Sequence, residues 1–205
     1  MKLKYLIVVF LWVGFGVIHS ILIDLRVSNW ANRVLGRYFT FYRLGYNLLS
    51  LVLFSAMLYI TKTLDSELIL KFVPPWTIVQ QVLLIGSGVV IIWAFLSYDV
   101  LEFVGIRQLM SFGKKKGFYY PKTITKKGLL GIVRHPIYFA TIVFIWSLNS
   151  TRVDIVAHLV LTIYILLGIR LEESKLVKEF GLAYTQYQME VPALIPFTKK
   201  LQRTK

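Results

Sequence analysis

The chain contains no cysteine. That absence excludes disulfide staples, thiolate metal sites and a cysteine nucleophile. Acidic residues are scarce, 10 against 24 Lys and Arg, and the only histidines are His19, His135 and His158. These three lie far apart, with no H-E-x-x-H or comparable pairing, so no metal centre is expected. Charged residues of both signs fill only 17% of the 205 positions, hydrophobic ones fill 57%, and the mean hydropathy is +0.65. That profile belongs to a membrane protein. A net charge of +14 would point to nucleic acid in a soluble chain. Here the basic residues fall in short segments between apolar runs. Their expected partner is the lipid bilayer with its anionic headgroups, and no nucleic-acid partner is expected.

Apolar runs are abundant. Five approach spanning length, at roughly 3–23, 41–60, 76–97, 128–148 and 153–169. The first has no A-x-A-like cleavage site and further spans follow it, so it reads as an uncleaved span rather than a signal peptide. Segment 24–43 carries four arginines against one aspartate, and segment 98–136 carries eight Lys or Arg against two acids. By contrast, segment 61–71 holds two charges of each sign, and the link between the last two runs holds only Arg152 and Asp154. The tail from Arg170 has seven basic and four acidic residues. This alternation predicts an N-terminus outside and a cytoplasmic C-terminus. The expected fold is an all-α integral membrane protein of about five transmembrane helices. Its last two spans should form a tight antiparallel hairpin, and a cytoplasmic helical extension should run on to Val191-Pro192, where proline ends it.

Within this apolar background, "GIVRHPIYFA" (131–140) places a fixed cation, an imidazole and a helix breaker side by side. Pro136 suits the first position of a helix, because it lacks a donor that would be unsatisfied there anyway. A helix over 137–148 would be about 18 Å long, too short for a ~30 Å core. Either 128–133 forms a second, kinked segment, or the motif sits below the membrane surface in a protein-lined recess. A helix N-terminus bearing Arg and His is an anion site; the alternative is an arginine snorkelling to headgroups. Glu172-Glu173 lies just beyond the last span, where paired carboxylates need partners or water. The hairpin brings Arg134-His135 and 170–173 to one membrane level. Two basic groups and two carboxylates there would suit a ligand carrying both an ammonium and a carboxylate, or would simply bridge the helices. Arg43, Tyr46, Arg107 and Gln108 are candidates to orient a substrate or stabilise its charge, and could equally be structural residues at span ends. The run Lys114-Lys115-Lys116 reads as a headgroup contact.

The motif R-H-P-x-Y, followed by "LEESKLVKEFGLAYTQYQMEVPALIPF", resembles the membrane methyltransferases related to isoprenylcysteine carboxyl methyltransferase and the bacterial phospholipid N-methyltransferases. "HS" at 19–20, "FYRLGYNLLSL" at 41–51 and "YDVLEFVGIRQL" at 98–109 are similar to the methanethiol S-methyltransferases, with the NnrU proteins and nurim as looser relatives. The resemblance implies one methyltransferase domain over 1–205, with variable spans in 1–110 and a cofactor-binding half in 111–205. It implies S-adenosylmethionine as cofactor, contacted by His135, Pro136, Tyr138 and Glu172, with Lys122, Thr123, Ile124 and Thr125 as further contacts. Arg134, Arg170 and Glu173 would complete that site, Arg134 as a fork on the cofactor carboxylate. Where the prenylcysteine enzymes carry a tyrosine five residues before the histidine, this chain has Leu130. Where they carry a substrate arginine about four residues before the glutamate, it has Gly168. These departures weigh against a prenylcysteine acceptor and favour a different, smaller one. The leading expectation is a small or lipophilic thiol, with a prenylcysteine carboxylate or a lipid amine as the enzymatic alternative. The implied place is an inner or plasma membrane with the active site facing the cytoplasm. A non-enzymatic, nurim-like membrane protein is the alternative of another class.

Overall fold

The computed structural model describes residues 2–64, 66–97, 100–110, 112, 124, 126–196 and 198. Helix α1 (Leu3–Ile23) is followed by α2 (Leu25–Leu35), a 3-10 turn (Gly36–Phe41) and α3 (Tyr42–Thr63). Next come β1 (Leu68–Leu70), α4 (Trp76–Ser97), and the short helices α5 (Val100–Val104) and α6 (Ile106–Met110). A 3-10 turn (Gly128–Gly131) precedes α7 (Pro136–Trp146), β2 (Ser150–Thr151), α8 (Arg152–Phe180) and α9 (Leu182–Glu190).

Among the described residues, four helical stretches are long and apolar enough to cross a membrane: Leu3–Ile23, Leu25–Thr63, Trp76–Ser97 and Arg152–Phe180. The fold is that of an all-α multi-pass membrane protein. Stripes of exposed apolar side chains, such as Ile78, Val82, Ile85, Val89 and Ile92 along α4, fit a lipid-facing surface. The expected fourth span is not one continuous helix. The chain leaves the 3-10 turn, His135 takes a non-helical conformation, and Pro136 then opens an α7 of only 11 residues. At about 17 Å this helix cannot cross the ~30 Å core alone. In the opposite sense, α8 has 29 residues, about 43 Å, so its charged end from Arg170 extends past the apolar part. The extension is not continuous either. It breaks at Gly181, whose φ of +57° suits glycine at a helix end, and resumes as α9.

Contacts divide the described residues into two compact units. The first draws on 1–71, 97–119 and 149–161, and the second on 72–96, 120–148 and 162–205. In the first unit α1 and α3 run antiparallel. They are tied by Trp12 Nε1 donating to Thr61 Oγ1 (3.1 Å), by His19 and Ser50 (2.8 Å), and by the Tyr42 hydroxyl donating to the Leu22 carbonyl (2.8 Å). Val8, Trp12, Val153 and Ala157 form its apolar core, with Phe54 edge-on to Trp12. The two charge-balanced segments meet at one end. There β1 pairs antiparallel with β2, Lys62 Nζ donates to Asp154 Oδ1 (2.7 Å), and Arg152 bridges Glu67 (2.8 Å). Lys62 and Arg152 thus each find an anion in the other segment.

At the other end of this unit, Arg43 Nε donates to the Phe103 carbonyl (3.2 Å), and Asn47 Nδ2 donates to the carbonyls of Phe103 and Val104. This close approach is possible because residue 105 is glycine. Its φ is +101°, and a Cβ there would lie 2.7 Å from the Leu44 backbone nitrogen. Gly105→Ala should therefore cost about 2 kcal/mol or more. A fall in thermal midpoint checks this, and an unchanged midpoint would show that α5 and α6 can move away from α3 without loss.

Candidate functional site

In the second unit α7 lies antiparallel to the second part of α8. Trp146 Nε1 donates to Thr162 Oγ1 (3.0 Å) at one end, and the Tyr138 hydroxyl donates to Glu172 Oε2 (3.0 Å) at the other. The predicted hairpin thus brings the Arg-His-Pro turn and the glutamate pair together. The turn is anchored by its backbone, since the amides of Arg134 and His135 donate to the carbonyls of Pro192 (2.9 Å) and Ala193 (3.0 Å). The Tyr187 hydroxyl also donates to the Leu130 carbonyl (2.6 Å). Gly131 sits so close to the Lys126 carbonyl that a Cβ would approach it to 2.7 Å. Burial of a loop this polar is sustained because its backbone groups are paired.

The two glutamates occupy different environments. Glu173 Oε1 accepts from Arg134 Nε (2.7 Å) and Nη2 (2.5 Å), and His135 Nε2 lies 3.2 Å from the same oxygen. Its Oε2 accepts from Gln188 Nε2 (3.0 Å). Arg134 Nη1 donates to the carbonyls of Gln188 and Val191, and the arginine side chain is only 4% exposed. The guanidinium expected to fork a cofactor carboxylate is therefore occupied within the protein, joining α8 to the segment after α9. Glu172, 46% exposed, turns to the other side, where it meets Tyr138 and lies 3.9 Å from His135 Nδ1. The His135 and Tyr138 rings stack with centroids 5.5 Å apart. One imidazole thus touches the half-buried Glu173 through Nε2 and faces the more open Glu172 through Nδ1.

Beneath this site Tyr184, Tyr187 and Val191 form a buried apolar cluster with Ile124, Leu176, Val177 and Phe180 packed against it. Ile124 is the described member of the predicted 122–125 contact stretch; Lys122, Thr123 and Thr125 lie outside the described residues, as does the 114–116 lysine run. Burial, reinforced by the negative charge of Glu173, pushes the Tyr184 phenol up to about 12. A phenol raised above its unfolded value adds stability that is fully present below pH ~10 and lost as the pH rises through about 12. Tyr184→Phe should abolish that part of the alkaline loss in melting curves taken between these pH values. Identical alkaline loss in both proteins would show that the phenol is not sheltered.

Of the other predicted residues, Arg170 is exposed on α8 and Pro136 is buried at the start of α7. Arg43, Tyr46, Arg107 and Gln108 belong to the first unit, where Arg43 holds the Phe103 carbonyl and Tyr46 packs edge-on to Tyr42. Gln188 and the 191–193 segment escaped prediction as site residues. The available signal was the stripe Tyr184, Tyr187, Gln188 and Val191, which places a polar amide on the buried face of a helix. Among the described residues no group of three or more His, Asp or Glu is placed to hold a metal ion.

Residues 24–191 match the family described as "Protein of unknown function (DUF1295)". The chain is 36% identical over 120 residues to the methanethiol S-methyltransferase of Crocosphaera subtropica, covering 57% of this chain and 45% of that protein. It is 32% identical over 113 residues to the methanethiol S-methyltransferase of a Pseudomonas species, covering 55% and 43%. Methanethiol S-methyltransferase 1 of Bradyrhizobium diazoefficiens is 42% identical over 74 residues, covering 36% of this chain and 26% of that protein. The chain spans less than half the length of each of these relatives, and no solved structure matches it significantly. The Arg-His-Pro turn, the glutamate pair and the start of the segment that clamps them all fall inside the matched stretch, and the chain belongs to the DUF1295 family.

Proposed function

We propose that this protein transfers a methyl group from S-adenosylmethionine to a small or lipophilic thiol, giving a thioether and S-adenosylhomocysteine, with the active site facing the cytoplasm. The observation that carries this reading is the exposed Glu172 carboxylate beside the Tyr138 hydroxyl and the His135 ring, on a buried Arg134–Glu173 base. Relatives named as methanethiol S-methyltransferases supply the reaction class.

The donor set fits such a cofactor. Glu172 can accept from an ammonium or ribose hydroxyls, and the Tyr138 ring, backed by the buried His135, offers a face to a positively charged sulfonium. The exposed Arg170, two residues before Glu172, supplies a cation for a carboxylate. When bound, S-adenosylmethionine supplies a methyl group activated as a sulfonium, open to in-line displacement by a thiolate. The protein's share is alignment and exclusion of water rather than covalent catalysis, which agrees with a chain that has no cysteine. Glu173 holds the His135 ring in place, Arg134 keeps Glu173 in place, and Tyr138 orients Glu172.

Incubating the purified protein with methyl-labelled S-adenosylmethionine and a panel of thiols tests the reading. Labelled methyl thioether in the headspace is the expected result. Label appearing in base-labile ester or in extracted lipid would move the acceptor to a prenylcysteine carboxylate or a lipid amine. No cofactor binding by folded protein would favour a non-enzymatic role.

A further inference from the structure

Helix α2 and the turn after it carry a feature that methyl transfer does not use. The Tyr42 hydroxyl bonds the Leu22 carbonyl, so the chain leaves α1 and enters α3 at one level, and residues 24–41 must stay near that level. The 11 residues of α2, at about 17 Å, could not cross a bilayer in any case. The helix is strongly amphipathic. Ala31 faces inward and is buried, whereas Trp30 and Val34 are each 63% exposed, with Leu35 beside them. Arg26 and Arg33 lie one turn before and after Trp30 on the exposed face, opposite Ala31, and Asn29 lies beyond them, on the far side of the arginines from Val34; all three are exposed. Past it, Arg37 stacks on Tyr38 (4.8 Å), and Tyr38 and Phe41 pack around Phe112, leaving all three aromatics about half exposed. From Leu25 to Arg43 there are four arginines and no acid, and the one flanking acid, Asp24, is engaged as the α2 cap.

We infer that α2 and the Arg37–Phe41 turn form a built-in docking surface for the anionic headgroups of the leaflet at that end of the first unit, with Trp30 and Val34 seated among the upper acyl chains. An exposed apolar stripe with aromatics, flanked by arginines alone, complements a surface that is apolar below and negative above. Tryptophan and tyrosine at that depth place rings in the apolar layer and polar tips in the headgroups. A protein partner would need acidic groups to match the same arginines.

The lack of cysteine allows the test. Val34→Cys and Asn29→Cys, each carrying a nitroxide in the otherwise intact protein, are placed in vesicles of phosphatidylcholine with one part in three phosphatidylglycerol. The inference expects position 34 to be open to oxygen and shielded from a water-soluble nickel chelate, and position 29 to show the reverse. This contrast should be lost or sharply reduced in pure phosphatidylcholine, and again when Arg26, Arg33 and Arg37 are all replaced by glutamine. Equal chelate access at both positions would overturn the inference. So would a contrast that survives loss of the anionic lipid and of the arginines, which would leave apolar seating without headgroup recognition. Shielding of position 34 in native membranes but not in vesicles would instead assign the surface to a protein partner. None of these readouts depends on methyl transfer.

Discussion

Glu173→Ala should destabilise the protein by about 3–5 kcal/mol, because it leaves the buried Arg134 guanidinium without its counter-charge. The whole polar layer depends on that carboxylate, which takes both Arg134 nitrogens, the His135 contact and the Gln188 amide. Removing the arginine as well should restore much of the loss, because a well-packed apolar pair often replaces a buried ion pair at little cost. The expected order of thermal midpoints is wild type, then Arg134→Met/Glu173→Leu, with Glu173→Ala the lowest. A single variant as stable as wild type would show that the pair contributes nothing to the fold. The same geometry predicts that Arg134→Lys, which keeps charge but not the fork, weakens cofactor binding about tenfold. It does so through Glu173 and His135 rather than through direct contact.

Glu172→Ala should behave oppositely, with a thermal midpoint close to wild type and methyl transfer lost. Its carboxylate is nearly half exposed and its partner is the Tyr138 hydroxyl, so its removal leaves no buried charge behind. A hydrogen bond to a charged group is worth about 1.5–3 kcal/mol, so losing one or two from a bound cofactor should lower affinity roughly ten- to a hundredfold or more. Tyr138→Phe should give a smaller loss, since it frees the carboxylate's orientation without removing it. Normal turnover by Glu172→Ala would move the site away from the end of α8.

Much of this was legible from composition and spacing. The bounds of α1 and α4 follow directly from apolar runs, and Pro136 marks the start of α7 because its ring suits only the first turn of a helix. What spacing could not show was the rotation of α8. Adjacent residues on a helix point about 100° apart, so Glu172 and Glu173 face different surroundings, and only packing against α7 and α9 decides which of them meets Arg134. Spacing could not show the partners of Arg134 either, since they come from residues 39 to 57 positions away. The break at Gly181 was hidden because the apolar stripe continues across it. The balanced charges of 61–71 and 149–154 read as a sign of sidedness, yet they also pair with each other, a tertiary fact that no local pattern encodes.

Titration calorimetry with S-adenosylhomocysteine, on wild type, Glu172→Ala and Glu190→Ala, tests the proposed cofactor site most directly. Glu190 ends α9 and pairs with Lys126 at the surface, where a solvated ion pair contributes little. Wild type and Glu190→Ala should bind with similar affinity, and Glu172→Ala should bind at least tenfold more weakly. Equal affinity in all three proteins, or no binding by the folded wild type, would contradict the proposed site.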